Sequence, residues 1–185
     1  MAVHIPEHNL TFIHIPKTGG TSITRWIRDN HEHDYYRKHC TLQTAKNHWN
    51  NLSQTFCVIR DPYDWLVSWY EYEKVFIKNR IEDIKLGKIK SFKINDGKNN
   101  LDILQDKLYS LNKGFDYYAI NVDKTPQLDW AKNVDIVLRY EHLSTDFKQI
   151  QRITGCYSPL PVLNASQRKH YRHYYNKKLK NIVKE

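Results

Sequence analysis

Residues 11–28, TFIHIPKTGGTSITRWIR, decide how this chain is read. Phe12, Ile13 and Ile15 are apolar and β-favouring, which suits a buried strand. Pro16 ends it. Gly19 and Gly20 make a turn without Cβ atoms, so backbone can approach a ligand closely. Thr21 and Ser22 stand where a helix N-cap belongs, and Ile23, Trp26 and Ile27 follow at helical spacing. A strand, a glycine turn and a helix N-terminus in that order form an anion site. Unpaired N–H groups and the positive end of the helix dipole both face the turn. Lys17 adds a positive charge, and Thr18, Thr21 and Ser22 add hydroxyls.

The order is not that of a Walker A loop, in which the lysine follows the last glycine. Here Lys17 precedes both glycines. At 185 residues the chain is about one domain, large enough for one core. An apolar content of 40%, with 13% aromatic residues, excludes wholesale disorder. No run approaches the roughly 18 apolar residues of a membrane span. The first ten residues lack the pattern of a signal peptide. Cys40, Cys57 and Cys156 are scattered and odd in number, which fits a reducing compartment and neither a disulfide scaffold nor a zinc site. No metal is expected. The formal charge of +9 favours an anionic ligand, and lysines cluster within residues 74–98 and 168–184.

Working outward, residues 30–38 are polar and read as a loop. Thr41 caps a short helix through Ala45 to Trp49. Residues 55–59, TFCVI, form a second buried strand that runs straight into Arg60-Asp61-Pro62. Asp61 at the N-cap and Pro62 at the first helical position start a helix. Residues 78–100 are lysine-rich and read as a weakly ordered or hairpin-like projection. A helix over residues 101–111 follows, then a third strand over residues 134–138. Ser144 or Thr145 caps a helix carrying Phe147, Ile150 and Ile153, with Gly155 as its stop. The chain reads as helical again from Ser166. Strands alternating with helices imply an α/β fold with a parallel, right-handed sheet. Ligands of such sheets sit at the carboxyl ends of the strands, where the Lys17 and Arg60 turns both lie.

Arg60 at a strand end and Ser68 two turns into the next helix supply a fixed fork of donors and a hydroxyl, which suits a phosphate. The order PKTGGTS at residues 16–22 resembles the 5′-phosphosulfate loop of sulfotransferases that use 3′-phosphoadenosine 5′-phosphosulfate (PAPS), and RDPYDWLVSWY at residues 60–70 resembles their 3′-phosphate motif. The segments KHCT (38–41), PQLDW (126–130), VLRYEHL (137–143) and LPVLNAS (160–166) are similar to those of carbohydrate sulfotransferases related to heparan sulfate 2-O-sulfotransferase.

The resemblance implies a P-loop-like parallel sheet flanked by helices, in a single domain over residues 1–185. It does not extend to residues 78–121, of which 78–100, by their own composition, read as a flexible or acceptor-facing insertion. It implies that Lys17, Thr18, Gly19, Gly20, Thr21 and Ser22 hold the 5′-phosphosulfate, with Lys17 also offsetting charge on the bridging oxygen. Arg60 and Ser68 would bind the 3′-phosphate, and Ser166 and Arg168 would add late contacts to the cofactor. The spent cofactor would be adenosine 3′,5′-bisphosphate. The implied acceptor is a hydroxyl, of a carbohydrate, with no stable nucleic-acid partner and no membrane span.

An acceptor hydroxyl needs a base to take its proton. His39 is the candidate, since related enzymes carry a histidine between the two motifs; Glu71 or Glu73 is the alternative. Animal relatives begin with a membrane anchor and work in the Golgi lumen. Its absence here points to a cytoplasmic microbial or viral enzyme, or to a lumenal one from which the anchor has been removed. Two alternatives differ in class. A P-loop-like kinase using ATP lacks its Gly-Lys-Ser/Thr order here, and a magnesium-binding carboxylate after a strand is not evident. A non-catalytic basic module binding nucleic acid would need stacking platforms, but the aromatic residues lie at core spacing.

Overall fold

The computed structural model describes residues 1–36, 40–91, 99–164 and 168–184. In chain order β1 (Ala2–Ile5) and β2 (Leu10–Ile13) precede α1 (Gly20–Asn30), β3 (Asp34–Tyr36) and α2 (Leu42–His48). β4 (Gln54–Ile59) leads into α3 (Pro62–Lys85), followed by α4 (Asn100–Asn112), α5 (Phe115–Asn121) and α6 (Gln127–Ala131). Then come β5 (Ile136–Arg139), α7 (Leu143–Asp146), α8 (Lys148–Thr154) and α9 (Lys177–Lys184). Short 3-10 turns occupy Pro6–His8, Tyr140–His142 and Tyr171–His173.

The chain divides into two compact units. The first holds Met1–Asp61 and Lys124–Ser166; the second holds Pro62–Asp123 and Gln167–Glu185.

The first unit is built on a sheet of order β3-β1-β2-β4-β5. β2, β4 and β5 are mutually parallel, with Phe12 opposite Phe56 and Phe56 opposite Ile136. Side chains alternate across these strands with a period of two. Phe12, Phe56, Val58, Ile136 and Leu138 face one core, closed by Ile23, Trp26 and Ile27 of α1 and by Phe147 and Ile150 at α8. Ile13, Cys57 and Ile59 face the other, closed by Leu42 and Ala45 of α2 and by Trp130 of α6. The expected α/β sheet flanked by helices is therefore present.

Its parallelism is only partial. β1 pairs antiparallel with β2 and with β3, so the sheet is mixed. Neither strand carries a pattern of its own in the sequence: each is short, and its place is set by pairing. Val3 lies opposite Phe12 on one side and Tyr35 on the other. Two carboxylate contacts fix the far edge. Asp135 Oδ2 accepts from Thr55 N–H at 2.7 Å and from the Thr55 hydroxyl at 2.6 Å, locking the start of β5 to β4. Asp146 grips the end of β5, accepting from Arg139 Nε and Nη2 at 2.9 Å each.

The second unit is helical. Leu66, Val67, Tyr70, Ile77 and Ile81 of α3 pack with Leu111, Phe115 and Tyr118, and with Tyr175 and Leu179 near the C-terminus. The Phe115 ring meets Tyr175 edge-on at 5.0 Å and Tyr70 at 5.4 Å, geometries that aromatic quadrupoles favour. α3 runs to Lys85, so the projection expected from residue 78 begins as helix instead. Ile77, Ile81 and Ile84 recur at helical spacing and are buried, and this outweighs the lysines between them. Residues 92–98 of that expected projection lie outside the described residues. α4 opens with a capping box in which Asn99 and Asp102 satisfy each other's backbone N–H groups. Among the described residues from 168 onward, the expected helix is confined to the Tyr171–His173 turn and α9, while residues 166 and 167 lie outside them.

Candidate functional site

The turn after β2 is held by its own polar groups. The Thr18 hydroxyl is fully buried and donates to the Ile15 carbonyl at 2.8 Å. Lys17 lies in the left-handed region at φ +67°, a conformation costing about 1–3 kcal/mol for a residue with a side chain. Gly19 follows at φ +83° and is the N-cap of α1. This corrects the expectation that Thr21 or Ser22 caps the helix. Ser22 N–H makes a first-turn bond to the Gly19 carbonyl at 3.0 Å, so the N–H groups of Gly19, Gly20 and Thr21 precede the helical ladder. The Ser22 side chain, 6% exposed, accepts from Leu163 N–H at 3.1 Å.

The two glycines serve different ends. Gly19 needs its left-handed φ, and a Cβ there would also stand 3.3 Å from the Tyr140 ring and from Leu143. Gly20 has no unusual φ, but a Cβ would fall 2.0 Å from the His14 ring. His14 therefore packs directly on the first turn of α1, and only a glycine admits it.

Arg60, at the end of β4, reaches the same turn. Its Nη1 donates to the Lys17 carbonyl at 3.0 Å, and its guanidinium lies 4.0 Å over the Tyr140 ring. Its backbone is clamped by Gln127, whose Oε1 accepts from Arg60 N–H at 2.8 Å and whose Nε2 donates to the Arg60 carbonyl at 2.9 Å. The next residue is held too: Asp61 N–H donates to Glu141 Oε1 at 2.8 Å. The carboxyl ends of the three parallel strands thus converge. β2 brings the Lys17 turn, β4 brings Arg60, and β5 brings Tyr140 and Glu141.

Ser68 belongs to the second unit, where it is 7% exposed on α3. Arg168 is in that unit as well and pairs with Asp64 at 2.5 Å, both side chains being largely shielded. Glu71 accepts from the Tyr174 hydroxyl at 2.9 Å, and burial first, then this bond, pushes the Tyr174 pKa up to about 12. Thr21 is exposed at the start of α1. His39 and Ser166 lie outside the described residues. From sequence Gln127 is expected only to pack or support a cofactor and Glu141 to cap or brace a helix, while Tyr140 carries no expected role. Their segments, PQLDW and VLRYEHL, stand out in the sequence, but what each side chain holds emerges only from the pairing of β4 with β5.

A glycine turn at a helix N-terminus, with an arginine bonded to it from the neighbouring parallel strand, defines an α/β protein whose strand ends carry the geometry that suits an anionic group. The particular kind follows from comparison with protein families. The family model described as "Sulfotransferase family" matches residues 2–185, and the chain belongs to that family. Sulfuryl transfer is accordingly its general chemistry. Neither a curated protein nor a solved structure matches it. Among the described residues no helix is long and apolar enough to cross a membrane.

Proposed function

We propose that the protein transfers the sulfuryl group of PAPS to a hydroxyl of a carbohydrate acceptor, in the manner of the heparan sulfate 2-O-sulfotransferase type that its motifs resemble. The observation that carries this reading is the bond from Arg60 to the Lys17 carbonyl. It ties the two motif loops together at one edge of the sheet, as a nucleotide with phosphates at both ends requires. The N–H groups of Gly19, Gly20 and Thr21, which precede the helical ladder of α1, support the fit.

PAPS, when bound, supplies an activated sulfuryl group on a good leaving group. The residues of the chain orient and neutralise. Lys17, Thr18, Gly19, Gly20, Thr21 and Ser22 take the 5′ end, through backbone N–H groups and the lysine charge. Arg60 and Ser68 take the 3′-phosphate, with Ser166 and Arg168 as further contacts. His39 accepts the acceptor's proton, Glu71 or Glu73 being the alternative. Positioning and charge stabilisation account for most of the acceleration in such in-line transfers.

The test is incubation with PAPS and a panel of glycans, following release of adenosine 3′,5′-bisphosphate and sulfate incorporation. Wild type sulfates at least one glycan, and Lys17→Ala lowers the rate by about 100-fold or more while remaining folded. Full turnover in Lys17→Ala would remove that residue from the reaction.

A further inference from the structure

At the other end of α1, three ligand-type side chains meet. Glu7 and His8 lie on the 3-10 turn between β1 and β2, and His31 is the C-cap of α1. One potential ligand atom from each lies within 4.8 Å of the other two. Glu7 Oε1 is 2.7 Å from His31 Nδ1 and 3.4 Å from His8 Nε2. We propose that Glu7, His8 and His31 bind a divalent transition-metal cation, of which zinc is the representative, as a site distinct from the sulfuryl-transfer edge.

Ligands about 2.0–2.2 Å from one zinc ion stand some 3–3.5 Å apart. The Glu7–His8 separation of 3.4 Å already fits, and the hydrogen-bonded Glu7–His31 pair at 2.7 Å opens by a few tenths of an ångström to admit the ion. Two imidazoles and one carboxylate form a recognised donor set for zinc and its neighbours, with water completing the shell. The donors are presented by rigid elements. Asn9, at φ +43°, closes the turn by donating its N–H to the Pro6 carbonyl at 3.0 Å. The same residue anchors the turn to the start of β4, its Oδ1 accepting from Ser53 N–H at 3.3 Å. His31 is fixed by its N–H bond to the Ile27 carbonyl at 2.9 Å and by its ring against Trp26 at 5.1 Å. Its side chain is only 4% exposed, and its Nε2 is buried with no hydrogen-bond partner. The ring is therefore held with Nδ1 directed at Glu7. An ionised carboxylate only accepts, so the proton in that contact sits on Nδ1. For Nδ1 to become a ligand, that proton moves to Nε2 of the neutral ring and the Glu7 carboxylate turns from His31 to the cation. Sequence spacing did not point here because residues 7, 8 and 31 converge only after the hairpin and α1 have packed on the same sheet.

The assay is calorimetric titration of the full chain with zinc chloride, repeated with cobalt(II) and read by visible absorption. Glu7→Gln and His8→Ala are the test variants, since both positions reach the surface and leave the buried His31 packing intact. His173→Ala, in the other unit, is the control. Wild type and control should bind one zinc per chain and gain melting temperature with it. Each test variant should bind at least about 100-fold more weakly, because loss of a mere supporting partner already costs 10–100-fold. No zinc uptake by wild type would overturn the proposal and leave a hydrogen-bonded clamp. Equal binding by the test variants would overturn it as well.

Discussion

Replacing Gln127 by leucine removes the clamp on Arg60 while keeping most of the buried volume. Gln127 is 9% exposed and makes two bonds, at 2.8 and 2.9 Å, to the N–H and C=O of a single residue. Leucine leaves both groups without their partner. A buried polar group left unsatisfied costs about 1–3 kcal/mol. Water can reach part of this site, so the lower half of the two-group range applies, giving a loss of roughly 2–4 kcal/mol. Urea unfolding at fixed m-value measures it directly. The neighbouring Leu128→Ala, at a side chain 74% exposed, is the control and should stay within about 0.5 kcal/mol of wild type. Because Gln127 also sets where the Arg60 fork points, the same variant should weaken binding of adenosine 3′,5′-bisphosphate. A Gln127→Leu protein as stable as the Leu128→Ala control would refute the clamp and the reasoning built on it.

Two further outcomes are expected. Gly20→Ala should destabilise the protein and impair turnover, since its methyl would sit 2.0 Å from the His14 ring, and the pairing Gly20→Ala with His14→Ala should recover part of the lost stability. Wild-type stability in Gly20→Ala would show that the ring moves aside freely. The two Arg139 side-chain bonds, with the Arg139 N–H, hold the Asp146 carboxyl down at about 2. A depressed carboxyl stabilises the fold above the unfolded value of about 3.9, and that contribution is lost as pH falls through about 2. Asp146→Asn should therefore lower the melting temperature at pH 7, with the gap from wild type closing in acid. A carboxyl-carbon NMR midpoint near 4 would contradict the grip.

Legibility in the sequence followed locality. The β2–turn–α1 unit could be read because Phe12, Ile13, the glycines and Trp26 carry their own pattern within one stretch. The same holds for β4, whose apolar run ends on Asp61-Pro62. β1 and β3 could not be read, because Asp34–Tyr36 is a polar, largely exposed segment that becomes a strand only by pairing with Ala2–His4. Hydroxyl residues are the usual caps, so Thr21 and Ser22 draw the eye, whereas in the fold α1 starts from the left-handed backbone at Gly19 with no side-chain cap. Lys17 and Arg60 could be named, but not that one's carbonyl receives the other's guanidinium. Nor could Tyr140 be placed beneath Arg60, since three strands had to be laid side by side first.

The central claim is that one edge of the sheet holds a nucleotide phosphorylated at both its 3′ and 5′ positions. The most direct measurement is calorimetric titration with adenosine 3′,5′-bisphosphate, compared with ADP and ATP in the absence of metal. The account predicts tight, metal-independent binding that requires the 3′-phosphate and falls sharply in Arg60→Ala. Equal or better binding of ATP, with no preference for a 3′-phosphate, would contradict it.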